Sequence, residues 1–430
     1  MAATGRARGP GTDHEDLVSV TAAARVDARR LWLRHEAMAR HGATAAGGVN
    51  RQALSVQEAQ AWQLLIGWGR ELGLMPATDA VGNLFLRWPG RDPLAAPVLT
   101  GSHLDSQPTG GRFDGVYGVL AGLEAVQALQ EAAHVPARPI DIVAWMNEEG
   151  SRFAPGMMGS SVFSGARGLQ EVLAVTDADG VAVAEALADH AAAFADLPCW
   201  PLQRPVHAYL EAHIEQGPLL EREGLSVGIV TGIQGKRTFS VTVAGQEAHA
   251  GTTPSSQRQD ALLAAVRIIS GLVAWCHDPQ DLVRFTVGRL DVLPNAPSVV
   301  PASVRFSIDL RHPDSQRLCH LGDGILAVCE AQAGPCRVTV TELSNAQSLE
   351  FPASIRQLLS ACADDLQISH IDILSAAGHD ARYLHEVCPT GMIFVPCKGG
   401  VSHNEAESAT ASDLAAGARV LTQALVALTR

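Results

Sequence analysis

Five short segments of the chain concentrate imidazoles and carboxylates where a metal could use them. Gly101-Ser102-His103-Leu104-Asp105 follows an apolar run, and in extended backbone the side chains of His103 and Asp105, two apart, point the same way. A carboxylate beside a ligand imidazole commonly orients it, which gives Asp105 that place behind His103. Gly110-Gly111-Arg112-Phe113-Asp114-Gly115 sets Asp114 between glycines that let the chain turn tightly ahead of a helix, a suitable position for a bridging ligand. Asn147-Glu148-Glu149-Gly150 puts two adjacent carboxylates at the C-terminal end of an apolar run, where open α/β sheets place their sites. One of the two can bind metal while the other takes a proton. His213-Ile214-Glu215-Gln216-Gly217 and Gly400-Val401-Ser402-His403-Asn404-Glu405 supply two more imidazoles. Three histidines with two or three carboxylates suit Zn2+, Mn2+, Co2+ or Ni2+. On spacing alone, a metal centre and a scatter of hydrogen-bonded histidines with solvated glutamates remain alternatives.

Other chemistries fit less well. Gly224-Leu225-Ser226-Val227-Gly228 matches the G-x-S-x-G elbow of serine hydrolases, but that elbow needs a strand before the serine and a helix after it. Here the order is reversed. Lys236 and Lys398 are the only lysines and neither lies in a glycine-rich phosphate loop, which excludes a P-loop and disfavours a pyridoxal Schiff base. A net charge of -13 without a basic block argues against nucleic acid and against an anionic membrane surface as partners. No run approaches the roughly 18 apolar residues of a membrane span. The opening MAATGRARGPGTDHED lacks the apolar core of a signal peptide, so residues 1–18 read as a disordered tail on a cytoplasmic protein. Eight cysteines without a C-x-x-C pair read as reduced thiols.

The elements that must position these residues form two patterns. Helical spacing over residues 20–40 and 55–71 is followed by apolar runs at 97–100 and 140–146 with a helix between them, which predicts an α/β unit with a buried, largely parallel sheet. Over residues 233–345 the pattern changes. Alternation in 238–243 places Phe239, Val241 and Val243 on one face, a helix follows at 260–275, then a strand at 284–292 and another whose strict alternation turns Val304, Phe306, Ile308 and Leu310 inward. A helix at 315–331 and a strand at 337–342 complete the order βαββαβ of a ferredoxin-like unit. The α/β character then returns, with a strand at 393–396 and a closing helix at 412–428. The expected organisation is a catalytic domain of residues 19–232 and 346–430, interrupted by an inserted domain of residues 233–345.

The segments GSHLDSQPTGGRFDGVYGVLAGLE, WMNEEGSRFAPGMMGS, HIEQGP, GQEAHAGTTP, DLRHPD, AGHDA and VSHNEAE, in this order, resemble the N-carbamoyl-L-amino-acid hydrolases. The likeness extends to their relatives, β-ureidopropionase and allantoate amidohydrolase, which are akin to aminoacylases and zinc peptidases. It runs from about residue 20 to the C-terminus. The resemblance implies a di-metal α/β catalytic domain with an inserted dimerisation and lid domain, and two divalent ions per subunit, Zn2+ above Mn2+, Co2+ or Ni2+. One ion is held by His103, Asp114 and His213 and the other by Asp114, Glu149 and His403, with Asp114 bridging. It further implies Glu148 as general base, His249 as a catalytic donor to the oxyanion, and Gln216, Asn295, Arg311 and His379 as contacts to a small substrate carrying a carboxylate. On residue chemistry alone, Arg311 reads first as the salt-bridge partner of Asp309. A homodimer is implied as well.

The implied reaction is hydrolysis of the carbamoyl C–N bond to amino acid, CO2 and ammonia. Allantoate and β-ureidopropionate are alternative substrates, and an aminoacylase or peptidase is a more distant alternative. The last usually carries an acidic residue where His213 stands. Ser375-Ala376-Ala377-Gly378-His379 departs from the usual Ser-Gly-Ala-Gly-His, and residues 255–259 and 296–298 also depart from the family pattern. These departures touch loops near the substrate and leave every implied metal ligand in place.

Overall fold

The computed structural model describes residues 21–430, so the tail expected over residues 1–18 lies outside the described residues. The chain divides into two compact units, one formed by the residues up to Thr231 together with Phe351–Arg430, the other by Gly232–Glu350. The sequence placed the corresponding breaks after residues 232 and 345.

The first unit opens with helices α1 (Ala28–Met38) and α2 (Val56–Glu71). The helical spacing read from residue 20 is interrupted after residues 21–23 by a turn, and α1 begins after Asp27, whose carboxylate accepts from the Arg29 and Arg30 amides and caps it. Ser55 caps α2 in the same way. Strands β1 (Met75–Asp79), β2 (Leu84–Trp88) and β3 (Val98–His103) follow, then α3 (Val116–Glu131), β4 (Ile140–Trp145), β5 (Ala208–Ile214) and β6 (Val227–Ile233). Ser226 precedes β6 and follows a short helix, so it is not a nucleophile elbow.

The second unit contains β7 (Gly235–Ala244), α4 (Ala261–Trp275), β8 (Arg284–Thr286), β9 (Leu290–Leu293), β10 (Ser303–His312), α5 (Ser315–Gln332) and β11 (Arg337–Ala346). Its main sheet runs β8–β10–β7–β11, with β9 also on β10, and all its pairings are antiparallel. This is the ferredoxin-like order, with the first strand between the third and the fourth. Phe239, Val241, Val243, Val304, Phe306, Ile308 and Leu310 face one way and pack with Ile268, Leu272, Leu321 and Ile325 of α4 and α5. The single strand expected over 284–292 is two short strands, and the break between them contains Gly288.

The chain then returns to the first unit with α6 (Ala353–Asp365), β12 (His370–Ser375), β13 (Thr390–Val395) and α7 (Ala411–Leu428). The order of its sheet is β6–β13–β5–β3–β4–β2–β1, with β12 also paired to β6. Strands β13, β5, β3 and β4 are mutually parallel, whereas β6, β2 and β1 pair antiparallel. The sheet is therefore mixed: two reversals bring β1 back to the direction of the central strands, and it pairs in parallel with a two-residue edge strand, Cys199–Trp200. All residues of these four central strands are buried. Their near-continuous apolar runs follow from cover on both faces, and α3 and α7 supply part of it. No described helix is long and apolar enough to cross a membrane.

One buried group in this core makes stability depend on pH. His35 of α1 lies against the rings of Phe113 and Tyr117, and burial pushes its pKa down to about 3. The native state therefore keeps it neutral while the unfolded chain protonates it below about pH 6.5. Its contribution is present above that value and is lost as pH falls toward the folded pKa. Between pH 7 and pH 5 the loss is about 2 kcal/mol. In urea unfolding at the two pH values, the protein should lose about that much more stability than His35→Leu; equal losses would refute the assignment.

Candidate metal centre

The four parallel strands bring their C-terminal ends to one edge, and each supplies a residue of the site. His103 ends β3, His213 is the penultimate residue of β5, Glu148 and Glu149 follow β4, and His403 lies in the loop after β13. Asp114 comes from the turn ahead of α3. Gly115 makes that turn possible, with φ of 66° and the His103 ring so near that an added Cβ would lie 2.3 Å from it.

Asp114 stands at the centre. Its Oδ1 is 3.3 Å from His213 Nε2 and 3.9 Å from His103 Nε2, while its Oδ2 is 3.3 Å from His403 Nε2. That same His403 nitrogen is 3.3 Å from Glu149 Oε2. The ligand atoms form two groups that could each hold an ion, His103 with Asp114 and His213, and Asp114 with Glu149 and His403. Glu148 belongs to neither, and its Oε2 lies 3.5 Å from His103 Nε2.

The donor set fits divalent metal. His103 Nδ1 donates to the main-chain oxygen of Asp105 at 2.9 Å, and His213 Nδ1 donates to that of Ile214 at 2.9 Å. A carbonyl only accepts, so in each neutral ring the proton sits on Nδ1 and a lone pair on Nε2 faces Asp114. Lone pairs meeting a buried carboxylate at these distances call for positive charge between them, either a proton or a metal ion. The Asp105 carboxylate, expected to orient His103, is 3.5 Å from its Nδ1 and instead accepts from the backbone amides of Glu148 and Glu149, at 3.1 and 3.2 Å. It thus fixes the turn that carries both glutamates, and the neighbouring main-chain oxygen holds the imidazole.

Burial sets the electrostatics. It pushes the Glu148 carboxyl well above the usual range, with the charges of Asp380 and Glu149 adding to the effect against the pull of His103. Glu149 is raised to about 7 by burial and then by Asp114. For Asp114 the balance inverts, because burial is outweighed by the hydrogen bond from His403 and the charges of His213 and His103.

A protein-family description, Peptidase family M20/M25/M40, matches residues 99–427. The chain belongs to this family. An N-carbamoyl-L-amino-acid amidohydrolase of Rhizobium meliloti is 40% identical, covering 94% of this chain and 96% of that protein. An allantoate amidohydrolase of Bacillus subtilis (strain 168) is 34% identical, covering 91% and 96%. Among solved structures, an amidase of the hydantoinase/carbamoylase family from Burkholderia multivorans is similar with a TM-score of 0.85 and 43% identity, covering 94% of this chain and 98% of that one. This member of the M20 family is an amidohydrolase.

Two of the implied substrate contacts of this M20 enzyme lie against the cluster. Gln216 Nε2 donates to Asp114 Oδ2 at 3.0 Å and to Ser402 Oγ at 3.1 Å. His379 is buried edge-on to His213, with ring centroids 4.6 Å apart, and its Nε2 is 2.9 Å from Ser375 Oγ. His249, Asn295 and Arg311 belong to the second unit. His249 Nδ1 accepts from the Gly251 and Thr252 amides, which leaves its neutral ring with a donor at Nε2. Asn295 is exposed with φ of 57°, and Arg311 donates to both oxygens of Asp309 at 2.8 and 3.1 Å. The salt-bridge alternative for Arg311 is thus present.

Sequence reasoning missed four supporting residues. Gln107 Nε2 donates to Glu149 Oε2 at 2.8 Å, and Glu407 accepts from the loop that carries Asp114. Ser402 Oγ bridges Glu407 and Asp114. Glu211 accepts from Ser102 Oγ, the Tyr209 hydroxyl and the Ala381 amide. Those three donors occupy both oxygens of Glu211, which disfavours the further group it forms with His213 and His379 as a metal site. The only sequence signal was position, because Gln107 and Glu407 fall inside the family segments. As a test of the turn, Gly115→Ala should drive the His103 ring out of place and lower bound divalent metal at least ~10-fold in affinity, measured by calorimetry on the refilled apoprotein. Unchanged affinity would show that the turn has slack.

Proposed function

We propose that this amidohydrolase cleaves the carbamoyl C–N bond of N-carbamoyl-L-amino acids on two divalent ions, giving the amino acid, CO2 and ammonia. The observation that carries the reading is the placing of Asp114, one oxygen toward His103 and His213 and the other toward His403, with Glu148 alongside but outside both groups. When bound, the ions would polarise the ureido carbonyl and acidify water. Zn2+ suits this donor set, and Mn2+, Co2+ or Ni2+ would be accepted by the same side chains.

Glu148 is then the general base. It takes one proton from the attacking water and returns it to the amino-acid nitrogen as that C–N bond breaks, releasing carbamic acid, which falls apart to CO2 and ammonia. Its burial beside Glu149 and Asp380 raises its affinity for that proton, as a base that must become an acid within one turnover requires. The substrate contacts in this reading are Gln216, His379, Asn295 and Arg311, with Arg311 exchanging Asp309 for the substrate carboxylate and His249 donating from Nε2 to the oxyanion. The second unit makes the homodimer interface in the same reading. Its helix α4 exposes Leu263, Val266 and Val273, an apolar stripe that association would cover. All eight cysteines are free, in keeping with the cytoplasmic setting the reading assumes.

The relative from Bacillus subtilis favours allantoate as the second reading. Metal-reconstituted enzyme incubated with N-carbamoyl-L-amino acids, N-carbamoyl-β-alanine, allantoate, N-acetyl amino acids and dipeptides should release ammonia fastest from the first group. Turnover of only the acetyl or peptide substrates would sink the proposal, and preference for allantoate would select the second reading. Glu148→Gln should keep both metals yet lose at least ~10²-fold in kcat, the scale of a lost general base. His103→Ala should lose metal. Light scattering should report a dimer that Val266→Asp shifts toward monomer; a monomeric parent protein would refute the interface.

A further inference from the structure

We infer that Glu407 is the positioning residue of the Asp114–Glu149–His403 half of the metal centre, and that without it this half binds metal far more weakly than the His103–Asp114–His213 half. The inference rests on the two-metal reading and adds to it a residue that touches neither ion.

Glu407 is 2% exposed and joins two segments nearly three hundred residues apart. Its Oε1 accepts from the backbone amides of Phe113 and Asp114 at 2.9 and 3.1 Å, and its Oε2 accepts from Ser402 Oγ at 2.9 Å. Ser402 directly precedes His403. Its hydroxyl is also 3.3 Å from Asp114 Oδ2 and accepts from Gln216 Nε2. The single carboxylate therefore sets the main chain under Asp114 and, through Ser402, the turn that presents His403. Gly111 leaves room for it, since a Cβ there would lie 2.0 Å from the Glu407 carboxylate.

The two halves of the centre depend on this link unequally. His103 and His213 ride on fully buried strands β3 and β5, with their Nδ1 atoms held by main-chain oxygens. His403 has no such mount. It lies in a loop with φ of 51°, its side chain is 51% exposed, and its near partners are Asp114 and Glu149 themselves. Left-handed backbone at a non-glycine residue persists only where the surroundings impose it, and the Glu407–Ser402 contact is a restraint that does so. The shape of the group matters more than its charge, because Ser402 Oγ can either donate to Glu407 or accept there while its own proton goes to Asp114 Oδ2. A glutamine can reproduce it, with its oxygen on the two amides and its NH2 on Ser402 Oγ.

The test is metal affinity and stoichiometry on the full chain, by calorimetry and elemental analysis, with Co2+ absorption reporting the geometry of each site. The wild type should bind two ions. Glu407→Ala should weaken one of them by ~10- to 100-fold and leave the other within twofold, while Glu407→Gln should restore both. Two unchanged affinities in Glu407→Ala would overturn the inference, as would equal weakening of both ions or failure of Glu407→Gln to restore them. Should Glu407→Ala not fold, Ser402→Ala decides, because it cuts the link from Glu407 to the His403 turn while leaving the Phe113 and Asp114 amides on Glu407, and it must still weaken one ion selectively. A wild type that binds fewer than two ions would defeat the two-metal reading itself, and that outcome is separate from the others.

Discussion

The first unit is organised around one electrostatic difficulty, which is that Asp114, Glu148 and Glu149 meet imidazole lone pairs where little water reaches them. Their side chains are 6%, 11% and 4% exposed, beside His103 and His213 at 2% and 1%. Anions in such a place must find positive charge or give up their own. Without metal, the imidazoles themselves answer the difficulty. The pKa of His403 is raised by its hydrogen bond to Asp114, and that of His103 is raised by Glu148 and Asp105 against the cost of burial. A divalent ion offers the same positive charge with better geometry, so protons and metal compete for the same nitrogens.

Holding acceptors against one another takes scaffold, and the fold supplies it at three levels. Parallel strands fix where His103, His213 and the two glutamates begin, because their backbones are paired on both sides and covered on both faces. Main-chain groups then set the rotation of each ligand, through carbonyls behind the imidazoles and through the amides of Glu148 and Glu149 on Asp105. Close approach supplies the last level, with Gly115 under the His103 ring and Gly111 under Glu407. A side chain at either position would displace a group that the charge balance needs.

These levels differed in how well they could be read from sequence. Strand ends and flanking glycines are local signals, so Asp114 and the Glu148–Glu149 pair stood out at once, and the alternation that buries Phe239, Val241 and Val243 was plain. His213 and His403 are ordinary histidines by local context and became persuasive only through the ordered family segments. The sheet was expected to be largely parallel, yet β2 and β6 run against the central strands, because a strand's own residues carry no mark of its direction. Asp105 was placed correctly beside His103, but its role was not legible. Whether its carboxylate or its carbonyl meets the ring depends on how the chain leaves β3, which no spacing rule specifies. Glu407 was invisible for a stronger reason, since its partners lie at the other end of the chain and are backbone amides that have no sequence signature.

The adjacent pair Glu148 and Glu149 shows how neighbouring residues of the same type come to sit in different surroundings, to which the proposed reaction gives different roles. Both amides hang on one carboxylate, that of Asp105, so the turn delivers the two side chains as a fixed pair. Gln107 then takes one oxygen of Glu149, and His403 lies 3.3 Å from that same oxygen, which sets Glu149 in the group with Asp114 and His403 that could hold an ion. Glu148 meets His103 at 3.5 Å, on the other side of Asp114, in a setting where burial and its acidic neighbours favour the protonated form. A carboxyl so placed gives up a proton reluctantly and takes one readily. In the proposed reaction the division of labour would follow from what each glutamate is tied to, because Gln107 holds Glu149 in place and leaves Glu148 without that tie.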